Sequence, residues 1–321
     1  MIRVEELTKF YGQTRAIEKV SFTVRDGEIL GFLGPNGAGK TTILRIITTY
    51  LAPTDGQVYV DEMNIAEHAS ELRRRIGYLP ETNPLYVEMP VYDHLQFAAA
   101  ARDITGRAFK SALGRVMEAC GVREVLHRPV GELSKGYRQR VGLAMAMIHD
   151  PEILILDEPS SGLDPNQIVE IRALIRALGK EKTVILSSHI LQEVQALADR
   201  IIILNKGQVV ADGTSEELMA GFRGQATLTL EVKNATRESV AALGDRFPDA
   251  RVREETAADG IVRLQLEYTP GATDNQGQGL REQLFAYAVE SGWVILEMSR
   301  QQAQLEDIFR SLTIEQGSAR G

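Results

Sequence analysis

Short apolar segments recur along the first 220 residues, and polar or glycine-rich turns separate them. Residues 29–33, 153–156 and 183–186 are almost continuously apolar, which is typical of strands buried on both faces of a parallel sheet. Residues 20–24 alternate apolar and polar side chains, so they predict a strand with one exposed face. Helically spaced segments lie between several of these runs. This alternation of strands and helices predicts an α/β domain.

The pattern changes from strands to helices over about residues 83–150. Segments 93–98 and 109–120 carry helically spaced apolar residues and few strand formers, and a longer helix is predicted from Ser134. These segments predict a helical subdomain inserted between strands. Within it, the apolar residues at 85–89 fit two interpretations, ordinary packing or a partner-binding face.

The pattern resets near residue 222, where a new series of short elements begins. The predicted elements are a strand at 226–232, a helix at 235–244, strands at 249–256 and 260–268, a helix at 280–291, a strand at 293–299 and a last helix at 304–313. This βαββαβ order predicts a small ferredoxin-like α+β domain. Residues 1–221 and 222–314 are therefore expected to be separate domains, followed by a polar tail at 315–321. The sequence of the second domain contains no recognisable catalytic or phosphate-binding motif, so it indicates no role.

Composition narrows the classes of function only slightly. The chain has 321 residues, of which 44% are hydrophobic and 25% charged, an ordinary globular balance. The net charge of −8 disfavours non-specific binding to nucleic acid, and no nucleic-acid partner is expected. Cys120 is the only cysteine, so no internal disulfide can form, and a structural position is more typical of it than a catalytic one.

Membrane and export signals are not recognisable in the sequence. No segment has 18 apolar residues without charge, and the first residues do not resemble a signal peptide. We therefore expect a cytosolic protein, and any membrane part of its machinery would come from another chain.

Residues 34–41 fit the P-loop pattern G-x-x-x-x-G-K-[ST] between the apolar run 29–33 and a helical run. Glycines let backbone N–H groups wrap phosphate oxygens, and the helix N-terminus adds partial positive charge. Lys40 can reach the outer phosphates, and the Thr41 hydroxyl can bind Mg²⁺. The predicted nucleotide contacts of this loop are Gly34, Pro35, Asn36, Gly37, Ala38, Gly39, Lys40, Thr41 and Thr42.

Two acids follow the buried run at 153–156. Because ligands bind at the carboxyl ends of parallel strands, Asp157 and Glu158 are expected to face the nucleotide. One carboxylate would hold Mg²⁺ or its water, and the other would orient or deprotonate the attacking water. His189 ends the run at 183–188 and is a candidate contact to the γ-phosphate.

Two further positions have alternative interpretations. Ser134 is a natural N-cap and Gly136 permits close approach, so this segment is either a capped helix or a second anion-binding helix N-terminus. Tyr11 is either a core or edge-strand tyrosine or an exposed ring that stacks on a base. The residues alone leave both cases open.

In their order, these motifs resemble those of the ATP-binding cassette (ABC) ATPase family. The resemblance covers about residues 2–220 and rests on the P-loop, the stretch 133–137, the acids at 157–158, the loop 161–164 and His189. It implies a P-loop ATPase core with an antiparallel β subdomain and the helical subdomain. A single cassette with a small C-terminal domain resembles the ATPase subunit of an exporter whose membrane half is a separate protein. Residues 78–86 are similar to those of gliding-motility or multidrug-type exporters.

The resemblance implies a role for each residue at the site. Tyr11 would stack on adenine, the P-loop would hold the phosphates, and Thr41 would bind Mg²⁺. Asp157 would bind the metal through water, Glu158 would be the general base, and His189 would sense the γ-phosphate.

The resemblance also implies a homodimer in the ATP-bound state. Ser134 and Gly136 would cap the γ-phosphate of the opposite subunit, and Lys135, Tyr137 and Asp164 are counted with them as nucleotide contacts. ATP would hold the dimer together and hydrolysis would release it. This cycle would drive a separate permease subunit, with the ATPase on the cytoplasmic face of the membrane.

The sequence departs from the family pattern at two places. Lys135 and Tyr137 replace the usual second glycine and glutamine of the signature, and Lys135 could help to hold phosphate. Glu81 stands where the family usually has a glutamine that contacts Mg²⁺ and the attacking water. A carboxylate is a stronger ligand for this hard cation. Glu81 is therefore predicted to be a catalytic, metal-linked residue that couples the site to the partner.

Two other functions are compatible with an ATP-binding cassette. A soluble cassette protein acting on nucleic acid or ribosomes usually carries two cassettes or long coiled coils, and neither is recognisable in this sequence. A regulator that holds ATP without turnover would not need both Glu158 and His189. The sequence therefore favours a transport ATPase, for a substrate that it does not identify.

Overall fold

A computed structural model describes residues 1–221, 226–248, 250–256, 261–268 and 278–301, together with Leu305, Glu306, Phe309 and Leu312. Most of the predicted last helix at 304–313 and the predicted tail at 315–321 lie outside these described residues. The chain divides into two compact units, Met1–Ser215 and Glu216–Gly321. Among the described residues, no helix has both the length and the apolar character needed to cross a membrane.

The first unit alternates strands and helices along its length. Its strands are β1 (Ile2–Tyr11), β2 (Thr14–Val24), β3 (Ile29–Leu33), β4 (Asp55–Val60), β5 (Met63–Asn64), β6 (Ile76–Leu79), β7 (Ile153–Asp157), β8 (Thr183–Ser188), β9 (Arg200–Asn205) and β10 (Gln208–Gly213). Its helices are α1 (Lys40–Ile47), α2 (Ala69–Arg75), α3 (Val91–Ala100), α4 (Gly106–Cys120), α5 (Lys135–Met147), α6 (Pro165–Gly179) and α7 (Leu191–Leu197), and α8 (Ser215–Gly221) begins at its last residue.

A six-stranded sheet in the order β10-β9-β3-β8-β7-β6 is the centre of the first unit. β3 pairs in parallel with β8 and β9, and β7 pairs in parallel with β6 and β8. Every residue of β3, β7 and β8 is buried, as their continuous apolar sequences predict. Because the carboxyl ends of parallel strands meet at one edge, the loops after these three strands lie side by side.

A smaller antiparallel sheet in the order β2-β1-β4-β5 shares a hydrophobic core with the central sheet and α1. Phe22 of β2 and Phe32 of β3 contact edge to face, with ring centroids 5.2 Å apart. Ile43 and Leu44 of α1 are completely buried in the same core. The packing of α1 fixes the position of the P-loop that precedes it, and the predicted antiparallel β subdomain is confirmed.

Helices α3, α4 and α5 form the helical region between β6 and β7, as the sequence predicts. Cys120 ends α4 and is buried, with its Sγ 4.0 Å from the sulfur of Met147 in α5. Burial raises the pKa of the Cys120 thiol to about 12, so the thiol stays protonated. Cys120 is therefore a core residue, and its position agrees with the structural interpretation.

Helix α7 is absent from the elements that the sequence predicts, which leave residues 190–199 unassigned. Leu191, Val194 and Leu197 are buried and share one face of the helix. The helix has only 7 residues. Such a segment is shorter than the window in which helical periodicity can be recognised.

The second unit contains β11 (Ala226–Lys233), α9 (Arg237–Arg246), β12 (Ala250–Thr256), β13 (Ile261–Tyr268), α10 (Gln278–Glu290) and β14 (Val294–Gln301). Its sheet is antiparallel, in the order β12-β13-β11-β14. Leu230, Leu264 and Trp293 contribute to its own hydrophobic core. Trp293 Nε1 donates a hydrogen bond to Ser239 Oγ at 3.0 Å. The element order agrees with the predicted βαββαβ order, and the ferredoxin-like classification stays a prediction.

Candidate nucleotide site

The loop between β3 and α1 requires glycine for its backbone conformation and for space. Gly37 and Gly39 have φ angles of 80° and 104°, in the left-handed region that side chains disfavour. A Cβ on Gly39 would lie 2.5 Å from Ile17 Cγ2, and a Cβ on Gly34 would lie 2.4 Å from the carbonyl oxygen of Leu204. The surrounding strands therefore fix the shape of this P-loop, with α1 beginning directly after it.

Lys40, the first residue of α1, is only 5% exposed and is held against the loop. Its Nζ donates hydrogen bonds to the carbonyl oxygens of Gly34 at 2.7 Å and Pro35 at 3.3 Å. The same Nζ lies 3.4 Å from Glu158 Oε1. The cation is thus placed between the loop and the acid, where it can attract phosphate oxygens.

Asp157, the last residue of β7, is 1% exposed and has one oxygen without a partner. Thr41 Oγ1 donates to Asp157 Oδ1 at 3.1 Å, and Ser187 Oγ donates to the same oxygen at 2.6 Å. Among the described residues, Asp157 Oδ2 is buried and accepts no hydrogen bond. An unpaired buried carboxylate oxygen is costly, and a cation would relieve that cost.

These donors fit Mg²⁺, which prefers oxygen ligands and often binds through one or two carboxylates plus substrate phosphates. In the part of the chain that the structure describes, no group of three or more His, Cys, Asp or Glu residues is placed to bind a metal. The site therefore fits a metal that also takes oxygens from the nucleotide, and it does not fit a closed protein cage.

Glu158 and His189 form a hydrogen-bonded pair at the ends of neighbouring strands. Glu158 Oε2 lies 2.9 Å from His189 Nδ1. Glu158 is 7% exposed, and its φ of 48° is uncommon for a residue other than glycine. Its backbone N–H donates to Ser187 Oγ at 3.0 Å. The Ser187 hydroxyl therefore contacts both Asp157 and Glu158 and orients the two acids.

One cavity of about 630 Å³ brings most of the predicted site residues together. Its walls contain P-loop residues 36–42 and, from elsewhere in the chain, residues 14–16, Glu81, Glu158, Ser161 and His189. Asp157 does not line the cavity, but it accepts a hydrogen bond from Thr41, which does. Glu81 shares the cavity with the P-loop, as its predicted role requires, and that role stays a prediction.

The predicted signature residues do not line this cavity. Ser134 caps α5, because its Oγ accepts a hydrogen bond from the Tyr137 N–H at 3.3 Å. Gly136 is buried under Gln167, whose Cδ would lie 2.7 Å from a Cβ at that position. Ser134 therefore caps the helix, and phosphate binding in another subunit stays a prediction.

The start of α5 lies beside the start of α6. Lys135 Nζ would be 2.0 Å from a Cβ on Gly162, so the absence of a side chain there makes room for the ammonium group. Asp164 caps α6, and its Oδ1 accepts from the Gln167 N–H at 3.0 Å. Lys135 and Asp164 therefore belong to one surface, formed by two helix N-termini outside the P-loop cavity.

Tyr11 lies at the end of β1 and is 47% exposed, which excludes the core interpretation. It pairs with Thr14 across the β1–β2 hairpin, and Thr14 lines the P-loop cavity. Lys9 Nζ lies 5.7 Å from the centre of the Tyr11 ring. An exposed ring at this position suits stacking on a base.

The sequence analysis does not identify several residues that the structure brings to the site. Residues 14–16 line the cavity, and Ser187 orients the two acids. Asn83 Nδ2 donates to Gln139 Oε1 at 2.9 Å and ties the loop after Glu81 to α5. Of these residues, only Ser187 has a sequence signal, because it lies at the end of the predicted strand 183–188.

A glycine-rich loop between a buried strand and a helix, a lysine at the helix start and an acid pair at the end of a nearby strand define a P-loop nucleoside triphosphatase. A family model described as "ABC transporter" matches residues 17–161. The chain is 34% identical over 316 residues to the bacitracin transport ATP-binding protein BcrA of Bacillus licheniformis, covering 97% of each chain. The chain belongs to the ABC transporter family as an ATP-binding subunit, and its activity is that of an ATPase.

Other comparisons agree over about two thirds of the chain. The ABC transporter ATP-binding protein NatA of Bacillus subtilis is 39% identical over 214 residues, which are 66% of this chain and 87% of that protein. A solved structure of an ATP-binding subunit of an ABC transporter has a TM-score of 0.63 at 30% identity, covering 69% of this chain and 93% of that chain. The dimeric cassette MJ0796 in a post-hydrolysis state bound to ADP and Pi has a TM-score of 0.62 at 25% identity, covering 67% and 98%.

Proposed function

We propose that this chain hydrolyses Mg-ATP at a site shared by two copies, and that the cycle drives export through a separate membrane permease. The observation that carries the proposal is the convergence of Lys40, Glu158 and His189 at the P-loop cavity. A protein that only binds ATP has no need for a buried acid that is paired with a histidine beside the P-loop lysine.

Glu158 is the proposed general base. Its carboxylate is buried between the cation of Lys40 and the ring of His189, so its position is fixed from both sides. From there it accepts the proton of the water that attacks the γ-phosphate. His189 holds the carboxylate through Nδ1 and presents the rest of its half-exposed ring to the cavity, where it contacts the γ-phosphate.

Mg²⁺, when bound, neutralises negative charge on the phosphate oxygens. The proposed donors from this chain are the Thr41 hydroxyl, the unpaired Oδ2 of Asp157 and the carboxylate of Glu81. With Mg²⁺ bound, Asp157 would act through water, and Glu81 would link the metal to the loop that enters the helical region.

The second half of the site is proposed to come from another copy of this chain. Ser134, Lys135 and Asp164 lie at two adjacent helix N-termini, outside the cavity of their own subunit. Helix N-termini and an exposed lysine attract phosphate. The dimeric post-hydrolysis cassette among the similar structures supports this arrangement. ATP bound between two copies then closes the dimer, and hydrolysis opens it.

The proposed contact for the permease is a groove beside the loop after Glu81. A cavity of about 540 Å³ is lined by Tyr50, Leu85 and Arg102 among others. Tyr86, next to it, is 62% exposed. Exposed apolar side chains beside a partly cationic groove suit a protein partner. These features support the partner-binding interpretation of residues 85–89. With a permease bound there, the proposed location of the chain is the cytoplasmic face of the membrane.

The experiment that tests this function is purification with the membrane subunit, followed by reconstitution in vesicles. Bacitracin is the first compound to test, because two similar proteins are named bacitracin transport ATP-binding protein BcrA. The second, from Enterococcus faecalis, is 38% identical over 314 residues. We expect the membrane subunit to stimulate ATP hydrolysis and a transported compound to stimulate it further. Hydrolysis that responds neither to the membrane subunit nor to any compound would contradict the transport role and leave the ATPase intact.

A further inference from the structure

Helix α7 carries a buried acid that the proposed mechanism does not use. Glu193 is 4% exposed. Its Oε2 accepts hydrogen bonds from Ser160 Oγ at 2.5 Å and from Ser188 Oγ at 2.8 Å. Both serines are themselves buried. One carboxylate oxygen therefore joins two segments that are distant in the sequence.

These two segments carry the proposed catalytic pair. Ser160 follows Glu158 by two residues, and Ser188 directly precedes His189. The first segment leaves the end of β7, and the second leaves the end of β8, its neighbour in the sheet. The side chain of Glu193 consequently ties together the loops from which the base and the histidine project.

The neighbouring donors fix the direction of one of these bonds. Ser188 Oγ accepts the backbone N–H of Ile190 at 3.0 Å, which leaves its single O–H for Glu193. A buried carboxylate is costly unless it is well hydrogen-bonded, and an apolar residue is often at least as stable at such a position. An acid at this point supplies what an apolar residue cannot, a shared acceptor between two loops.

Glu158 requires such support because its backbone is strained. A residue other than glycine with a φ of 48° persists only where the surrounding structure holds it. We propose that Glu193 is a positioning residue, which holds Glu158 and His189 at their separation of 2.9 Å through Ser160 and Ser188. This inference rests on the proposed catalytic roles of Glu158 and His189.

The test is steady-state ATP hydrolysis by the full chain with Glu193→Ala, Glu193→Gln or Gln192→Ala. Gln192 is exposed and adjoins Glu193 on α7, so it is the matched control. Glu193→Ala should lower kcat about tenfold to hundredfold with KM for ATP unchanged, because misplaced catalytic groups slow the chemistry without removing substrate contacts. Glu193→Gln keeps an oxygen that can accept both hydroxyls, so it should restore most of kcat.

A double variant with His189→Ala separates positioning from general structural damage. Once His189 is removed, Glu193→Ala should cause little further loss, because the pair that it positions no longer exists. The proposal is wrong if the two substitutions lower kcat additively in the double variant. It is also wrong if Gln192→Ala lowers kcat as much as Glu193→Ala does, or if Glu193→Ala leaves kcat unchanged. If Glu193→Ala does not fold, Ser160→Ala and Ser188→Ala remove the two donors singly and provide the same comparison with His189→Ala.

Failure of the proposed function gives a different result. Normal hydrolysis by Glu158→Gln shows that the assigned base is wrong, whatever Glu193 does. An inactive Glu158→Gln together with a normal Glu193→Ala shows that only the positioning role is wrong.

Discussion

Glu158 Oε2 and His189 Nδ1 lie 2.9 Å apart, so the acid that follows β7 and the histidine that follows β8 form one hydrogen-bonded unit. The two side chains differ in exposure, because Glu158 is buried and 44% of the His189 side chain is exposed. The acid is therefore shielded from bulk water, and the histidine faces the cavity. This asymmetry suits a base that accepts a proton from one selected water.

Glu158→Gln should abolish most turnover and keep ATP binding. The amide has nearly the same shape but cannot accept the proton, so kcat should fall about a hundredfold to ten-thousandfold. Phosphate release measures the rate, and size-exclusion chromatography with ATP should detect a trapped dimer. Glu170→Gln, at an exposed acid paired with Arg140, is the control and should hydrolyse ATP normally. Normal turnover in Glu158→Gln would refute the assigned base.

Glu81→Gln should raise the Mg²⁺ concentration needed for half-maximal hydrolysis. Glu81 shares the cavity with Thr41 and Glu158, and the substitution removes an anionic oxygen ligand. The measurement is a Mg²⁺ titration of ATP hydrolysis, with and without the membrane subunit. Glu62→Gln, at an exposed acid in the turn between β4 and β5 that does not line the cavity, is the control. If neither Mg²⁺ dependence nor stimulation by the partner changes, the coupling role of Glu81 is wrong.

Gly114 in α4 and Gly121, the residue that caps its C-terminus, should respond to alanine with opposite signs. Gly114 lies within the helix, and a Cβ there meets nothing within 4 Å. Gly114→Ala should raise the free energy of unfolding by about 0.5–1 kcal/mol. Gly121 is the C-cap with a φ of 63°, and its replacement by alanine should lower the free energy by about 1–2 kcal/mol. Urea denaturation checks both values, and shifts of the same sign would contradict this account of the helix.

The stability of the protein should fall on mild acidification through His149. Burial, together with the guanidinium of Arg102, lowers the pKa of His149 from 6.5 to about 4. Between these values the unfolded chain binds a proton that the folded chain does not, so stability present above pH 6.5 is lost as the pH falls toward 4.

The measurement for His149 is urea denaturation at several pH values, compared with His149→Gln. His149 Nε2 lies 3.1 Å from the carbonyl oxygen of Ile76, and glutamine keeps a donor without a titrating ring. The variant should lose less stability than the wild type between pH 6.5 and 4. An identical pH dependence for both proteins would show that His149 does not contribute.

Much of the site could be predicted because its residues occupy fixed positions in local motifs. The P-loop follows a buried strand directly, and Asp157 and Glu158 lie at the end of another. The rule that ligands bind at strand ends brings them together. Ser187 could not be predicted in the same way. Its contacts with both acids depend on the register in which Asp157 of β7 faces Ser187 of β8. Without the structure, a strand sequence does not specify its register with a partner.

Other residues escaped prediction because of element length and distant packing. Helix α7 is too short for its helical periodicity to be recognised in the sequence, so Glu193 could not be assigned to a helix. Residues 14–16 reach the cavity because the β1–β2 hairpin lies against the P-loop. Ile17 Cγ2 is so near that a Cβ on Gly39 would lie 2.5 Å from it. The fold class follows from repeated local patterns, whereas these contacts follow from how distant elements meet.

Lys40 already donates hydrogen bonds to the carbonyl oxygens of Gly34 and Pro35, and these bonds compete with any anion that binds there. An incoming anion takes the ammonium group from protein oxygens and not from water, so binding at this lysine is an exchange of partners. A ligand with a single charged atom offers fewer partners than the loop already provides. A chain of phosphates offers several oxygens at once, to the lysine and to the loop N–H groups. The site therefore selects its ligand by the number of oxygens that act together, and simple salts should be weak competitors for it.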